Sequence, residues 1–157
     1  MNIIISYREL SDIANTYLDE TNPEDHLDIS VSPVIDGLLV TIRNIKVSFI
    51  RLKQKVKIQI LGYKNDQLIL RLKLSSFLLD LVKKILFKFF FQIVRKTSGE
   101  KDAGKLHDYM KFSGSKIYLE INPFLQEADI PVKVLYVTSY PLNVEAVLKI
   151  LSKDEHS

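Results

Sequence analysis

The chain has 157 residues, 46% hydrophobic and 26% charged, with five Gly, five Pro and no Cys. That balance excludes a disordered or fibrous protein and suits one globular domain with its own core, while the absence of cysteine excludes disulfides, thiolate metal sites and thiol nucleophiles. The net charge of +3 is segregated: residues 1–36 carry eight acids against Arg8, residues 43–96 carry fourteen bases against Asp66 and Asp80, and residues 97–157 carry seven bases against nine acids.

The opening "MNIIIS" lacks the length and the basic flank of a signal peptide. No apolar run reaches the roughly 18 residues of a membrane span, so a cytoplasmic location, or secretion without a conventional signal, is expected. "SYRE" then predicts a helix over 6–18, because Ser6 at the N-cap and Glu9 three residues later satisfy two orphan amides reciprocally. Leu10, Ile13, Ala14, Tyr17 and Leu18 follow at helical spacing. A polar loop from Asp19 to His26 ends the helix.

Over 27–74 the apolar period is two, which predicts antiparallel strands with one greasy face. Leu27, Ile29 and Val31 alternate with polar residues, "PVIDG" turns the chain, and Leu38, Val40 and Ile42 resume. Ile45, Val47 and Phe49 then fall on the other parity, so a phase slip belongs near Asn44. Leu52, Val56, Ile58 and Ile60 return to even positions, which puts Arg51, Lys53, Lys55 and Lys57 in a row on the opposite, basic face. Arg43, Arg71 and Lys73 extend that row. After the turn "YKNDQ", Leu68 to Leu74 form one more strand.

Residues 76–96 predict a long helix, capped by Ser76 and free of Gly and Pro. At 100° per residue, Leu78, Leu79, Leu81, Val82, Ile85, Leu86, Phe89, Phe90 and Ile93 share one broad face, the expected core contact. The other half mixes Lys83, Lys84 and Lys88 with Phe77, Phe87, Phe91 and Val94. Those apolar residues require a second covering layer, a ligand or a membrane surface. Residues 97–116 read as a mobile connection, with room for a short turn around Leu106 to Met110. Over 117–150, Ile117, Leu119 and Ile121 form a strand, Asn122 and Pro123 start one helical turn, and Val132, Val134 and Tyr136 precede a closing strand from Val144 to Ile150. A solvated tail, 151–157, ends the chain.

Catalytic constellations are missing. His26, His107 and His156 lie in an acidic loop, a flexible loop and the tail, and no Gly-rich phosphate loop or metal-spaced histidine pair occurs. The acids Asp19, Glu20, Glu24, Asp25 and Asp28 lack the spacing of a calcium loop. No enzyme activity, cofactor or metal is therefore expected. Nucleic acid ranks below lipid as a partner, because the basic row has no aromatic residues beside it for base stacking.

The segments "SYRELSDIANTYL", "SSFLLDLVKKILFKFFF" and "IYLEINPFLQEADIPVKVLYV", in that order, resemble the small single-domain bacterial members of the tubular lipid-binding (TULIP) superfamily, including some clostridial toxin-cluster proteins. The resemblance covers roughly residues 6–150. It implies an α+β fold in which a long curved antiparallel sheet wraps one long apolar helix, with a short N-terminal helix at one end and acyl chains held between helix and sheet. On that reading Leu78, Leu81, Ile85, Phe89 and Phe90 line an apolar slot, while Lys83, Lys84, Lys88, Phe87 and Phe91 meet headgroups or an anionic membrane. The expected function is noncatalytic binding of a lipid, another apolar ligand or an anionic membrane surface. Two alternatives stand beside it: an oligomer or partner interface formed by the Phe87, Phe91 and Val94 stripe, and weak nucleic-acid binding by the row Arg51, Lys53, Lys55 and Lys57.

Overall fold

Runs of alternating apolar residues, separated by short polar turns, leave the backbone little choice but antiparallel pairing, and strands dominate the chain. The computed structural model describes residues 1–21, 28–74, 79–98 and 106–152. In order, the elements are β1 (Asn2–Ser6), α1 (Tyr7–Thr21), β2 (Asp28–Val34), β3 (Gly37–Val47), β4 (Ile50–Lys64), β5 (Gln67–Lys73) and α2 (Leu79–Ser98). They are followed by α3 (Leu106–Tyr109), β6 (Met110–Ser113), β7 (Lys116–Leu119), α4 (Ile121–Glu127), β8 (Val132–Ser139) and β9 (Asn143–Ile150). The strands form two antiparallel sheets, one of six in the order β2-β3-β4-β5-β7-β6 and one of three in the order β1-β9-β8.

This corrects the expected architecture. The α+β class holds, but no single sheet wraps a long apolar helix. The chain's two ends build a second sheet, because "NIIIS" is a β-branched strand that pairs with β9 from Asn2↔Val147 to Ser6↔Asn143. Nor is α2 apolar: Asp80, Lys83, Lys84, Lys88, Arg95 and Lys96 interrupt it, and it is amphipathic. Among the described residues, no helix is long and apolar enough to cross a membrane.

The capping box at Ser6 forms as expected: its Oγ accepts from the Glu9 amide at 3.0 Å and its own amide donates to Glu9 Oε1 at 3.3 Å. The phase slip also lies where the parity places it, as a register shift between Ile42 and Ile45 with Asn44 at φ 62°. Asparagine tolerates that left-handed backbone better than most residues. Gly37 is required by close approach, since a Cβ there would lie 2.2 Å from the Ile58 carbonyl oxygen.

Two later slips escape the parity argument. One between Ile60 and Gly62 turns Tyr63 inward, and one between Val134 and Tyr136 buries Val137 while leaving Tyr136 53% exposed. The supposed mobile connection is structured from Leu106 onward, with Met110 buried in strand β6. Ile121 starts α4 instead of continuing β7.

The main core lies between the inner face of the six-stranded sheet and the helices. Val82 and Leu86 of α2, 0% and 1% exposed, join Val40, Ile42, Val56, Leu72 and Ile117 there. A second cluster of Tyr63, Val134 and Val137 joins the sheets, and Ile60 and Leu68 pack against both clusters. Leu86→Ala is expected to cost about 2–5 kcal/mol in urea unfolding, the usual loss for a truncated core leucine. A loss below about 1 kcal/mol would show that α2 is not seated on the sheet.

Edge strands expose unpaired peptide groups, and two asparagines cover them. From α1, Asn15 Nδ2 donates to the Val31 carbonyl and its Oδ1 accepts from the Val31 amide, both at 2.8 Å. From α4, Asn122 does the same to Val134 of β8, at 2.9 and 2.8 Å. A carboxamide carries a peptide's donor and acceptor, so each behaves as a one-residue strand on an edge. Asn122 therefore does not start the helical turn as expected: α4 begins at Ile121, and its cap residue is Glu120, with no side-chain cap bond.

Asn122→Ala is expected to cost about 1–3 kcal/mol. Asn122→Asp should cost at least as much at neutral pH, because a carboxylate accepts from the Val134 amide but cannot donate to its carbonyl, and acidification should restore part of the loss. Urea midpoints for Asn122→Asp that match the unsubstituted protein at neutral pH would refute the clamp.

Candidate functional site

Side chains alternate across a strand, so burying one parity fixes where the other goes. With Val56 and Ile58 of β4 turned to the core, Arg51, Lys53 and Lys55 emerge exposed on the outer face and Lys57 emerges half-buried beside them. The four residues of the expected basic row thus share one face, and the pairing register widens the row into a platform. Lys46 of β3 lies directly opposite Arg51, Lys57 opposite Lys73 of β5, and Arg71 opposite Lys116 of β7. Asp28 is the only acid in the six strands, and it forms an ion pair at 3.6 Å with Arg43. Lys46 and Lys116 were not expected on this face; parity within β3 and β7, once the Asn44 slip is placed, would have assigned them. Tyr118 of β7 is also there, opposite Ile69 and Lys111, so the face does contain one half-buried aromatic ring.

Directly opposed like charges destabilise a sheet, by an amount comparable to the 0.2–1 kcal/mol or so that favourable cross-strand pairs contribute. Three such pairs on one face, Lys46–Arg51, Lys57–Lys73 and Arg71–Lys116, make a platform whose own strands supply almost no compensating charge.

The residues expected to line a lipid slot are described only in part. Leu78 and the side chain of Phe89 lie outside the described residues, as does Val94's side chain, whereas Leu81, Ile85 and Phe90 are half-buried against the main core. Phe87 and Phe91, assigned to the lysine side of the helix, also pack half-buried against that core. With both rings engaged by the core, the mixed half of α2 exposes less apolar surface than a helical wheel suggests. Lys83 is half-buried, its Nζ 5.9 Å from the Phe112 ring centroid; Lys84 and Lys88 are exposed. Because α2 covers the inner face, its exposed lysines and the sheet's basic platform lie on opposite sides of the six-stranded sheet.

Phe49, expected within a strand, instead occupies the two-residue turn between β3 and β4 and is fully exposed. No Gly or Pro marks that turn, which is why periodicity ran through it.

An open cleft of about 550 Å³ lies between α4 and strands β8 and β9, lined by Asp66, Asn122, Gln126, Lys133 and Lys149 among others. Its Asn122 is already engaged by Val134 and by the Tyr63 hydroxyl, to which its Nδ2 donates at 3.1 Å. Burial raises the phenol pKa of Tyr63, and Asp66 adds to the effect; burial does the same to Tyr7, whose hydroxyl meets Ser139. Both phenols stay protonated at neutral pH and act as hydrogen-bonding groups, not bases. His26 and His156 lie outside the described residues, as does the side chain of His107. Among the described residues, no group of three His, Cys, Asp or Glu side chains could hold a metal ion. No family model, curated protein or solved structure matches the chain.

Lys73→Glu places an opposite charge across from Lys57 and is expected to raise stability by about 0.5–1 kcal/mol at low salt. Added salt should stabilise the unsubstituted protein more than this variant, since screening relieves only the repulsion. Thermal unfolding at two salt concentrations checks both; a destabilised Lys73→Glu would show that the platform carries no net repulsion.

Proposed function

We propose that the protein docks, without catalysis, on an anionic lipid surface through the outer face of its six-stranded sheet. The observation that carries this reading is the set of like-charge cross-strand pairs, Lys46–Arg51, Lys57–Lys73 and Arg71–Lys116, on a face whose strands contain the single acid Asp28. An anionic surface relieves the repulsion of all three together. A broad field of lysines and arginines with one aromatic ring suits headgroup phosphates better than base stacking. The lipid partner is also the one that the tubular lipid-binding resemblance implies, although here the contact is with headgroups and not with acyl chains under a helix. A flat bilayer cannot touch α2 and this face at once, and the face with more bases is favoured.

A protein partner is the second reading. Ile4 and Tyr136, 63% and 53% exposed, share the side of the three-stranded sheet turned away from its core.

Cosedimentation with phosphatidylserine–phosphatidylcholine vesicles tests the lipid reading. Each lysine near an anionic leaflet contributes about 1 kcal/mol, so neutralising Lys53, Lys55 and Lys57 should weaken binding roughly a hundredfold. Lys84→Ala on α2 should change it little. Equal binding to pure phosphatidylcholine, or tighter binding to single-stranded DNA at physiological salt, would overturn the assignment.

A further inference from the structure

Among the described residues, strands β3 and β4 outrun their neighbours. β2 pairs with β3 only as far as Arg43, and β5 pairs with β4 only from Lys57 onward. Among the described residues, therefore, Lys46 to Arg51 form a two-stranded finger held by the pairs Lys46↔Arg51 and Val47↔Ile50 and seated at its base by the pair Ile45↔Leu52, of which Ile45 is buried in the main core and Leu52 packs against it. At about 3.3 Å per residue its tip stands roughly 15 Å beyond the last β2 pairing. Ser48 closes the turn with φ 58°, and Phe49 projects 102% exposed, followed by Ile50 at 61%.

A phenyl ring in that position contributes no packing to the fold, and a two-stranded ribbon is marginal by itself. Immediately behind the ring, Lys46 and Arg51 sit side by side, with Lys53 further back on the same face. Apolar side chains leading and cationic ones trailing are what the boundary of an anionic bilayer accepts: rings enter the acyl region while charged ends stay with phosphates. The register shift between Ile42 and Ile45, with Asn44 in the left-handed region, lies at the base of the finger.

We infer that the β3–β4 tip is a membrane-inserting finger, in which Phe49 and Ile50 enter the acyl boundary of an anionic bilayer while Lys46 and Arg51 hold headgroup phosphates. This inference rests on the docking proposed above and adds to it a component of binding that salt does not screen. Inserted tip first, the sheet leans on its outer face, and the bases behind the tip meet the headgroup layer.

The chain has no Trp, so Phe49→Trp makes the tip its own reporter at a site where the ring touches nothing. With phosphatidylserine–phosphatidylcholine vesicles at physiological salt, its emission should shift to the blue and be quenched by brominated acyl chains. The double change Phe49→Ser, Ile50→Ser should weaken cosedimentation at least about tenfold, the transfer preference of two apolar side chains, and leave a residue of binding that high salt removes. If the protein cosediments while the single Trp keeps its aqueous emission, the finger does not insert and the docking proposal stands without it. If the unsubstituted protein does not cosediment at all, the docking proposal itself is wrong.

Discussion

The inner face of the six-stranded sheet has to be covered, and most of the molecule follows from that. Val40, Ile42, Val56, Ile58, Leu70, Leu72 and Ile117 gather on one side of the sheet, where Val82 and Leu86 of α2 close over them. A strand has only two faces. Once apolar residues claim one, each lysine and arginine interleaved with them in β3, β4, β5 and β7 is carried to the other, whatever the repulsion among them. The basic platform is thus a geometric consequence of the core, and its charge density follows from how few acids the strands contain.

That same logic explains what could be read in advance. Parity alone located the slip near Asn44 and the outward row from Arg51 to Lys57, because β3 and β4 are long enough for several periods to register. It failed where segments were short or where a bulge reset the phase. β1 has five residues and β6 four, and neither shows a full alternation that sets it apart from a loop, while the strand read from Ile117 to Ile121 ends at Leu119. Tyr63 and Val137 point inward only because the unpaired residues Leu61 and Leu135 shift the register just before them. The division into two sheets was likewise invisible locally, since it depends on the first strand finding β9 at the far end of the chain.

The candidate site was half legible for a related reason. Parity puts its lysines on one face of β4, and would put Lys46 and Lys116 there too, but that they stand opposite Arg51 and Arg71 emerges only from pairing register. The helix offered a more conspicuous signal and misled. A helical wheel treats Phe87 and Phe91 as points on a circle, whereas a phenyl ring on a helix flank reaches several ångströms sideways, and here both rings pack against the main core. Phe49 was obscured by the opposite error: a period of two continued through a turn that has neither Gly nor Pro. Asn15 and Asn122 show a further limit, because a carboxamide clamping a strand edge has no local signature.

The central claim is that the outer sheet face, not α2, meets an anionic surface. Lysine acetylation mapped by mass spectrometry, with and without phosphatidylserine-containing vesicles, asks this of each lysine separately. Docking through the sheet should protect Lys53, Lys55, Lys57 and Lys73 while Lys84 reacts as fast as it does in free protein. Protection of Lys84 with the sheet lysines unchanged would contradict it.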